Sequence, residues 1–308
     1  MRPRCHWVWW TILLGCSVRT SVAAQVLITN FPVADAFVRS IAPTNNYGGA
    51  GSLAVSGSIA TNALGQQNGL LDTFLRFDLS SVISNLDNSF GAGNWVIARA
   101  RLYLFEQGAP NNVVFNRGVG PCEVRWIAND TWAEGTGSPN APTTDGVVWI
   151  NEVSLLNSNV DQSLGSFTNG GTDGVVRATL GMPASFVADV AAGGLVGFFL
   201  TATTNSAIGF TFHSRSFVDP TQWPFLEIAA AAIPKITSVV MAGGDMKIGF
   251  NTSGGVTNTV EYNNDLASTN WNTLAGVLGT GGNTNILDTG GAALPRRFYR
   301  VKLVLEEQ

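Results

Sequence analysis

The sequence predicts an all-β protein: a jelly-roll-like antiparallel β-sandwich followed by a small immunoglobulin- or fibronectin-like β-sandwich. Three observations lead to this fold class. Short runs alternate between apolar and polar side chains, which is the two-residue period of a strand. Turn-forming residues separate the runs, and the 35 glycines of the 308-residue chain are scattered among Asn, Thr and Ser. Only residues 183–192 have helical spacing, with two glycines behind them as a stop.

The clearest strands cover residues 72–79 and 98–106. In the first strand, Leu75 and Phe77 point to one face and Arg76 points to the other. In the second strand, an apolar face lies opposite Arg99, Arg101, Tyr103 and Phe105. Arginine beside an aromatic ring suits a surface that holds an acidic sugar, and it also suits an ordinary solvated sheet.

Further strand candidates divide the chain into two modules. Those of the first module are residues 25–29, 36–40, 53–56, 73–79, 97–105, 122–127, 147–150, 175–180, 195–202, 208–215 and 223–229. Those of the second are residues 236–241, 245–250, 257–262, 271–275, 284–288 and 297–304. Pro234 interrupts the pattern between them. We therefore predict a signal peptide at 1–24, a sandwich at 25–230, a linker at 231–235 and a small sandwich at 236–308.

The N-terminus predicts export to the outside of the cell or to its surface. Arg2 and Arg4 precede a short apolar run, and small residues then lead to Ala24, after which we expect signal-peptide cleavage. In an alternative interpretation, the chain is a lipoprotein modified at Cys16. The apolar run is too short for a permanent membrane span, and no second such segment occurs in the sequence.

Composition excludes several classes of function. Loss of the three arginines in residues 1–24 would leave 14 of the 17 basic residues against 21 acidic ones, a net charge of −7. An acidic chain without a basic run argues against nucleic-acid binding. Cys122 would be left as a single cysteine, so the sequence offers neither a disulfide framework nor a cysteine-based metal site, and the expected role of Cys122 is in the core.

The first module resembles the DNRLRE-type, disaggregatase-related domain, which is grouped with the family 96 carbohydrate-binding modules. The resemblance covers about residues 26–229. It rests, together with Trp126, on 35–39 (DAFVR), 45–48 (NNYG), 74–80 (FLRFDLS), 100–104 (ARLYL), 132–134 (WAE) and 224–228 (PFLEI). The resemblance implies a β-sandwich appended to secreted bacterial proteins and enzymes, some of which bind polysaccharides such as alginate-like polyuronates. The chain departs from the pattern by a Gly/Thr/Asn-rich insertion at roughly 135–175.

The last seventy or so residues resemble a C-terminal sandwich module of exported bacterial proteins. The matching segments are 259–262 (TVEY), 265–266 (DL), 270–271 (NW) and 297–301 (RFYRV). The resemblance does not define a role for this module.

Alternation also selects a candidate binding row in the first module. If the apolar residues of three strands face inward, then Arg76, Arg125, His213 and Arg215 face outward. Arginine binds a carboxylate through two parallel hydrogen bonds, so such a row would read successive uronate units. The alternative is pairing of these arginines with acidic residues on neighbouring strands.

Aromatic residues in loops and at strand ends complete the predicted site, because sugar rings stack on exposed aromatic faces. The candidates are Tyr47, Trp132, Trp149 and Trp223, each of which could instead belong to the core. His213 with Arg215 would also suit a polysaccharide lyase, which needs a base and a charge neutraliser.

We predict no cofactor. A structural calcium ion is the one alternative, held either by Asp35 with Asn45 and Asn46 or by Asp130, Glu134 and Asp145, although neither group matches a ligand loop with fixed spacing.

These residues predict an exported, non-catalytic protein whose first sandwich binds a polysaccharide, in particular an anionic, uronate-containing one. The alternatives are a structural or adhesive cell-surface protein without sugar binding and, as a third interpretation, a polysaccharide lyase. The sequence leaves the oligomeric state open.

Overall fold

The computed structural model describes residues 25–62, 64–107, 118–169 and 174–304, so the predicted signal peptide and Cys16 lie outside the described residues. The first eleven strands are β1 (Val26–Asn30), β2 (Pro32–Arg39), β3 (Ser52–Ser56), β4 (Leu71–Asp78), β5 (Trp95–Phe105), β6 (Gly120–Ile127), β7 (Gln162–Asn169), β8 (Val175–Leu180), β9 (Leu195–Ala202), β10 (Gly209–His213) and β11 (Phe225–Ala232). The helices are α1 (Ser80–Phe90), α2 (Trp149–Leu155) and α3 (Ala184–Ala192).

These strands form two antiparallel sheets with jelly-roll topology. The four-stranded sheet has the order β1-β11-β5-β8, so the first and last of these strands are hydrogen-bonded neighbours. The seven-stranded sheet has the order β10-β3-β4-β9-β6-β7, and β2 pairs with β4. From β4 to β9 the chain crosses repeatedly between the sheets, which is the connection pattern of a jelly roll. The predicted all-β sandwich is therefore confirmed.

The core lies between the two sheets, and alternation predicted its residues correctly. Leu75 and Phe77 of β4, Leu102 of β5, and Val124 and Trp126 of β6 all belong to one buried cluster. Cys122 is buried in the same cluster. Burying such side chains removes apolar surface from water, which is the main favourable term in folding.

A second buried cluster covers part of the outer face of the seven-stranded sheet. It joins Phe74 of β4 and Phe199 of β9 to Trp132 and Val147, and residues of α2 pack against it. We call residues 128–156 the covering segment. Because this segment lies over the sheet, the outward-pointing Phe74 and Arg76 of β4 contact protein.

Asn46 fastens the covering segment to the sandwich. Its Nδ2 donates to the carbonyl oxygens of Glu134 (2.7 Å) and Val147 (2.9 Å), and its Oδ1 accepts from the backbone N–H groups of Gly48 and Gly137 (both 3.0 Å). Gly135 has a φ of +79°, and a Cβ at this position would collide with the Asn46 side chain. Both a left-handed backbone and close approach therefore require glycine here.

Three sequence predictions about local structure are wrong. Strand β7 was missed, because it lies in the segment that the sequence marked as an insertion. Residues 147–150 form no strand, since Val147 and Val148 are buried in extended backbone and α2 begins at Trp149. Helix α1 was missed, although Val82, Leu86 and Phe90 repeat every four residues and Val82 and Leu86 are buried. The predicted helix at 183–192 is confirmed as α3.

The remaining strands are β12 (Ile236–Ala242), β13 (Asp245–Asn251), β14 (Thr257–Asn263), β15 (Asn272–Leu278), β16 (Asn283–Asp288) and β17 (Phe298–Val304). They form two three-stranded sheets with the orders β12-β13-β16 and β15-β14-β17, as expected for a small immunoglobulin- or fibronectin-like sandwich. The division of the chain into domains at 25–230 and 236–308 stays a prediction.

Within the described ranges, no helix combines the length and apolar character needed to cross a membrane.

Candidate functional site

The outer face of the four-stranded sheet presents arginines beside aromatic rings. One row across the strands places Glu227 of β11 opposite Arg101 of β5, and the next places Phe225 opposite Tyr103, which is in turn opposite Arg177 of β8. Their chain neighbours point into the core, so alternation directs these side chains outward. We call this surface the arginine–aromatic face; it consists of Phe31, Arg99, Arg101, Tyr103, Arg177, Trp223, Phe225 and Glu227.

Four aromatic rings form a continuous shelf on this face, in which Tyr103 is largely covered, with 8% of the residue exposed. Tyr103 and Phe225 stack with ring centroids 4.3 Å apart and an interplanar angle of 14°. Phe31, at the crossing from β1 to β2, meets the rings of Phe225 and Trp223 edge-on, each at 6.2 Å. Phe31 is 45% exposed, so the shelf has an apolar edge in solvent.

Three guanidinium groups surround the shelf, and two of them share one carboxylate. Glu227 Oε1 lies 3.6 Å from Arg99 Nη2 and 3.7 Å from Arg101 Nη1, distances that are long for hydrogen bonds. The Nε atoms of both arginines are buried without a hydrogen-bond partner. The guanidinium of the exposed Arg177 lies 5.2 Å from the centroid of the Tyr103 ring. The face therefore holds three positive charges against one negative charge, in a chain whose net charge is −4.

A groove of about 380 Å³ opens at the Arg177 end of the face. It is lined by Glu106, Phe167, Thr168, Gly174, Val175, Val176 and Arg177.

Arg76, the first predicted site residue, lies under the covering segment. Its Nη1 donates to the carbonyl oxygens of Asp130 and Trp132, both at 2.6 Å, and its guanidinium lies 4.9 Å from the Trp132 ring centroid. Its described contacts hold the covering segment on the sheet.

Arg215 and His213 also contact the protein itself. Arg215 Nη1 forms an ion pair with Glu134 Oε2 at 2.5 Å, and its backbone N–H donates to Asp35 Oδ2 at 2.6 Å. His213 is 5% exposed and its ring stacks on Phe217 at 3.7 Å. The expectation that His213 faces solvent is wrong, because the turn after β10 folds Phe217 over its ring.

The predicted aromatic contacts are only partly at the surface. Trp132 is 4% and Tyr47 is 6% exposed, because Trp132 belongs to the second cluster and Tyr47 stacks on Phe37. The expectation of open ring faces is therefore wrong for these two residues. Trp149 is half-buried and packs against the second cluster.

Arg125 remains half-buried on β6, paired across the strands with Phe199 and Ser163. The strand order places β9 between β6 and the β4 strand that carries Arg76. The structure thus brings Arg76 and Arg215 together at the covering segment and leaves Arg125 apart from them.

The predicted calcium groups contain side chains that are already hydrogen-bonded. The Asn46 side chain holds the covering segment, as described above. Asp145 accepts hydrogen bonds from Thr136 and Thr143. Of the residues that the structure describes, no three His, Cys, Asp or Glu side chains group in a way suited to a metal ion.

Asp35 makes the stability of this region depend on pH. It is fully buried, and burial, with a smaller contribution from the charge of Glu134, raises its pKa from 3.8 to about 8. In the unfolded chain the carboxyl ionises near its ordinary pKa, so the folded state binds more protons between these two values. Stability is consequently lost as the pH rises through about 8.

We expect Asp35→Asn to remove this dependence, since an amide can still accept the Arg215 N–H bond. Thermal unfolding followed by circular dichroism would show the wild-type Tm falling, relative to that of the variant, between about pH 5 and about pH 9. Asp145→Asn is the control. The exposed Asp145 has a pKa lowered to about 2, chiefly by its bond from Thr143, so its charge is constant over this range. Parallel pH profiles of wild type and Asp35→Asn would contradict the prediction.

A jelly-roll sandwich whose open sheet face carries arginines and aromatic rings has the features of a ligand-binding module. Comparison with known families supports this class, since residues 27–148 match the model of carbohydrate-binding module family 96. The match covers less than half of the chain, begins within β1 and ends at the residue before α2. No curated protein matches the chain. The finer DNRLRE-type resemblance and that of the C-terminal module stay predictions.

Sequence reasoning marked part of the arginine–aromatic face and made its Trp223 a candidate, but it selected the other site residues elsewhere. Alternation placed Arg99, Arg101, Tyr103 and Phe105 on one side of β5. Sequence reasoning missed Phe31, Arg177 and Phe225. These residues come from β8, from β11 and from the position after β1, and no local pattern shows that these strands form one sheet with β5. Ala178 and Leu180 are buried on one face of β8, and Arg177 lies directly before Ala178. This alternation was a local signal that the Arg177 side chain points outward.

Proposed function

We propose that the protein is an exported, non-catalytic polysaccharide-binding protein, and that its first sandwich binds an anionic, uronate-containing polymer on the arginine–aromatic face. The observation that carries this proposal is the excess of positive charge beside the aromatic shelf, where Arg99, Arg101 and Arg177 are balanced by Glu227 alone.

The arginines would bind the carboxylates of the polymer. Arg99 and Arg101 are about three-quarters buried, with 23% and 25% of their side chains exposed, so a carboxylate bound beside them is less screened than at an open surface. The contacts of their terminal Nη atoms to Glu227 are long. Such guanidinium groups retain hydrogen-bonding capacity for an incoming carboxylate.

The aromatic shelf would bind the apolar faces of the sugar rings. An exposed ring edge such as that of Phe31 offers apolar area to C–H groups, while Trp223 is oriented by its Nε1 bond to Phe217 O at 2.8 Å. Stacking of this kind would fix the polymer along the face, and the arginines would select for its charge.

Two features support the absence of catalysis. The family match over residues 27–148 is to a binding module. His213, the residue that a lyase mechanism would use as a base, is buried beneath Phe217, and burial lowers its pKa. Export rests on the N-terminal sequence.

Affinity electrophoresis tests the proposal directly. We expect the protein to migrate more slowly in gels that contain alginate or pectin, and to recover its mobility at high salt, because screening weakens ionic contacts. Unretarded migration in both anionic gels at low salt would contradict polysaccharide binding at this face. Retardation by a neutral glucan alone would contradict the anionic preference, and release of unsaturated uronate products would contradict a non-catalytic role.

A further inference from the structure

A buried and a half-buried carboxyl group meet on the other sheet, away from the arginine–aromatic face. Asp72 lies near the start of β4, pairs across the strands with Val38 of β2 and is 5% exposed. It accepts a hydrogen bond from the Thr201 hydroxyl of β9. The Asp72 carboxyl therefore lies on the covered side of the seven-stranded sheet.

Helix α2 brings Glu152 to the same place. Trp149 and Leu156 lie three residues before and four residues after Glu152, so all three share one side of the helix turn. Trp149 and Leu156 pack against the second cluster, which includes Val38, the strand partner of Asp72. Helix α2 contacts β2, the strand that pairs with β4 at Asp72, and the charge of Asp72 adds to burial in raising the pKa of Glu152 to about 8.

The pair lacks a compensating positive charge. Asp72 Oδ1 and Glu152 Oε2 are buried and accept no hydrogen bond. Among the described residues, no ion pair of Arg, Lys or His involves either carboxyl group. Burying two like charges without a partner is strongly unfavourable, so the pair must take up either a proton or a cation.

We propose that Asp72 and Glu152 bind a hard divalent cation, Ca²⁺ or Mg²⁺, that fastens helix α2 to the seven-stranded sheet. Both ions prefer carboxylate and hydroxyl oxygen. Asp72 Oδ1 and Glu152 Oε2 are the free ligands, and Thr201 lies beside them. Because Glu152 is only partly buried, water can reach the ion from the solvent side and complete its coordination. The proposal is independent of polysaccharide binding, since the arginine–aromatic face belongs to the other sheet.

Terbium luminescence tests this site on the full chain, with Trp149 on the same helix as a sensitiser. We expect sensitised Tb³⁺ emission that saturates at one ion per chain at this site. In Asp72→Asn and in Glu152→Gln, this emission should be lost, or the affinity for Tb³⁺ should fall at least tenfold. Competition by Ca²⁺ and by Mg²⁺, titrated separately, identifies the ion. The wild-type Tm should be higher with that ion than with chelator, and this difference should disappear in both variants.

Asp145→Asn is the matched control, because Asp145 is an exposed carboxylate in the covering segment whose oxygens bond to Thr136 and Thr143. It should retain both the emission and the Tm difference. Equal Tb³⁺ binding in all three variants would place the ions on surface carboxylates and overturn the proposal. An unchanged wild-type Tm in Ca²⁺, Mg²⁺ and chelator would overturn it as well, and would leave proton sharing as the way the pair is accommodated. The wild-type measurement decides the question even if a variant does not fold.

Discussion

Replacement of Arg99, Arg101 and Arg177 by glutamine is expected to abolish the retardation of the protein in alginate or pectin gels. A hydrogen bond to a charged group contributes about 1.5–3 kcal/mol, so each arginine that contacts a carboxylate should account for a roughly ten- to hundredfold change in Kd. The triple variant should therefore lose binding over any practical range of polymer concentration. Single variants should show graded losses, and the measurement is the mobility as a function of polymer concentration.

Arg125→Gln is the matched control for these variants. Arg125 is also a half-buried strand arginine with an outward direction, but it lies on the seven-stranded sheet. It should bind as the wild type does. If Arg125→Gln lost binding and the triple variant kept it, the site would lie on the sheet that the sequence predicted, and the arginine–aromatic face would be excluded.

Trp132→Ala is expected to have the largest effect on stability, although the sequence made Trp132 a candidate for ligand contact. Its ring packs against Phe74 with centroids 5.6 Å apart and lies beneath the guanidinium of Arg76. Removing a buried tryptophan leaves a cavity and costs about 3–5 kcal/mol. It would also loosen the segment that Arg76 holds through the carbonyls of Asp130 and Trp132. The measurement is the urea midpoint of unfolding, followed by tryptophan fluorescence and by circular dichroism.

Trp223→Ala is expected to affect binding more than stability, in contrast to Trp132→Ala. Trp223 is half-buried and contacts Phe31 on the arginine–aromatic face. We expect a smaller loss of stability than for Trp132→Ala, together with weaker retardation in polysaccharide gels. A Trp132→Ala variant with a wild-type midpoint and no binding would contradict the core role of Trp132 and restore its predicted role as a ligand contact.

The alternating strands were predictable because their signal is local. Consecutive side chains on a strand point to opposite faces. The sequence around Leu75 and Leu102 therefore predicts which residues lie in the core. Helix α2 was not predictable in the same way, because Val147 and Val148 carry the β-branched side chains of a strand. Its position depends on the packing of Trp149 and Leu156 on the second cluster.

The choice between the two outer faces could not be made from sequence. Arg76 and Arg101 have the same local pattern, an arginine beside an aromatic residue with apolar neighbours on the opposite face. They differ because the covering segment docks on the seven-stranded sheet, where its carbonyl oxygens accept from Arg76, whereas Arg101 lies on the other sheet. The contacts that hold it join Asn46 to residues 88 and 101 positions away and Arg76 to residues 54 and 56 positions away. No local pattern contains such distances.

The amino-acid sequence by itself determined the all-β class, the apolar and polar sides of most strands and the residues available for an anionic ligand, because strand periodicity and side-chain chemistry are properties of neighbouring residues. Only the tertiary structure decided which arginines remain accessible and which acidic residues are forced together. Tyr103, Phe225 and Arg177 become neighbours through strand pairing, and Asp72 and Glu152 through the docking of a helix. Both arrangements depend on burying apolar surface between segments far apart in the chain, where local sequence carries no information about the partner.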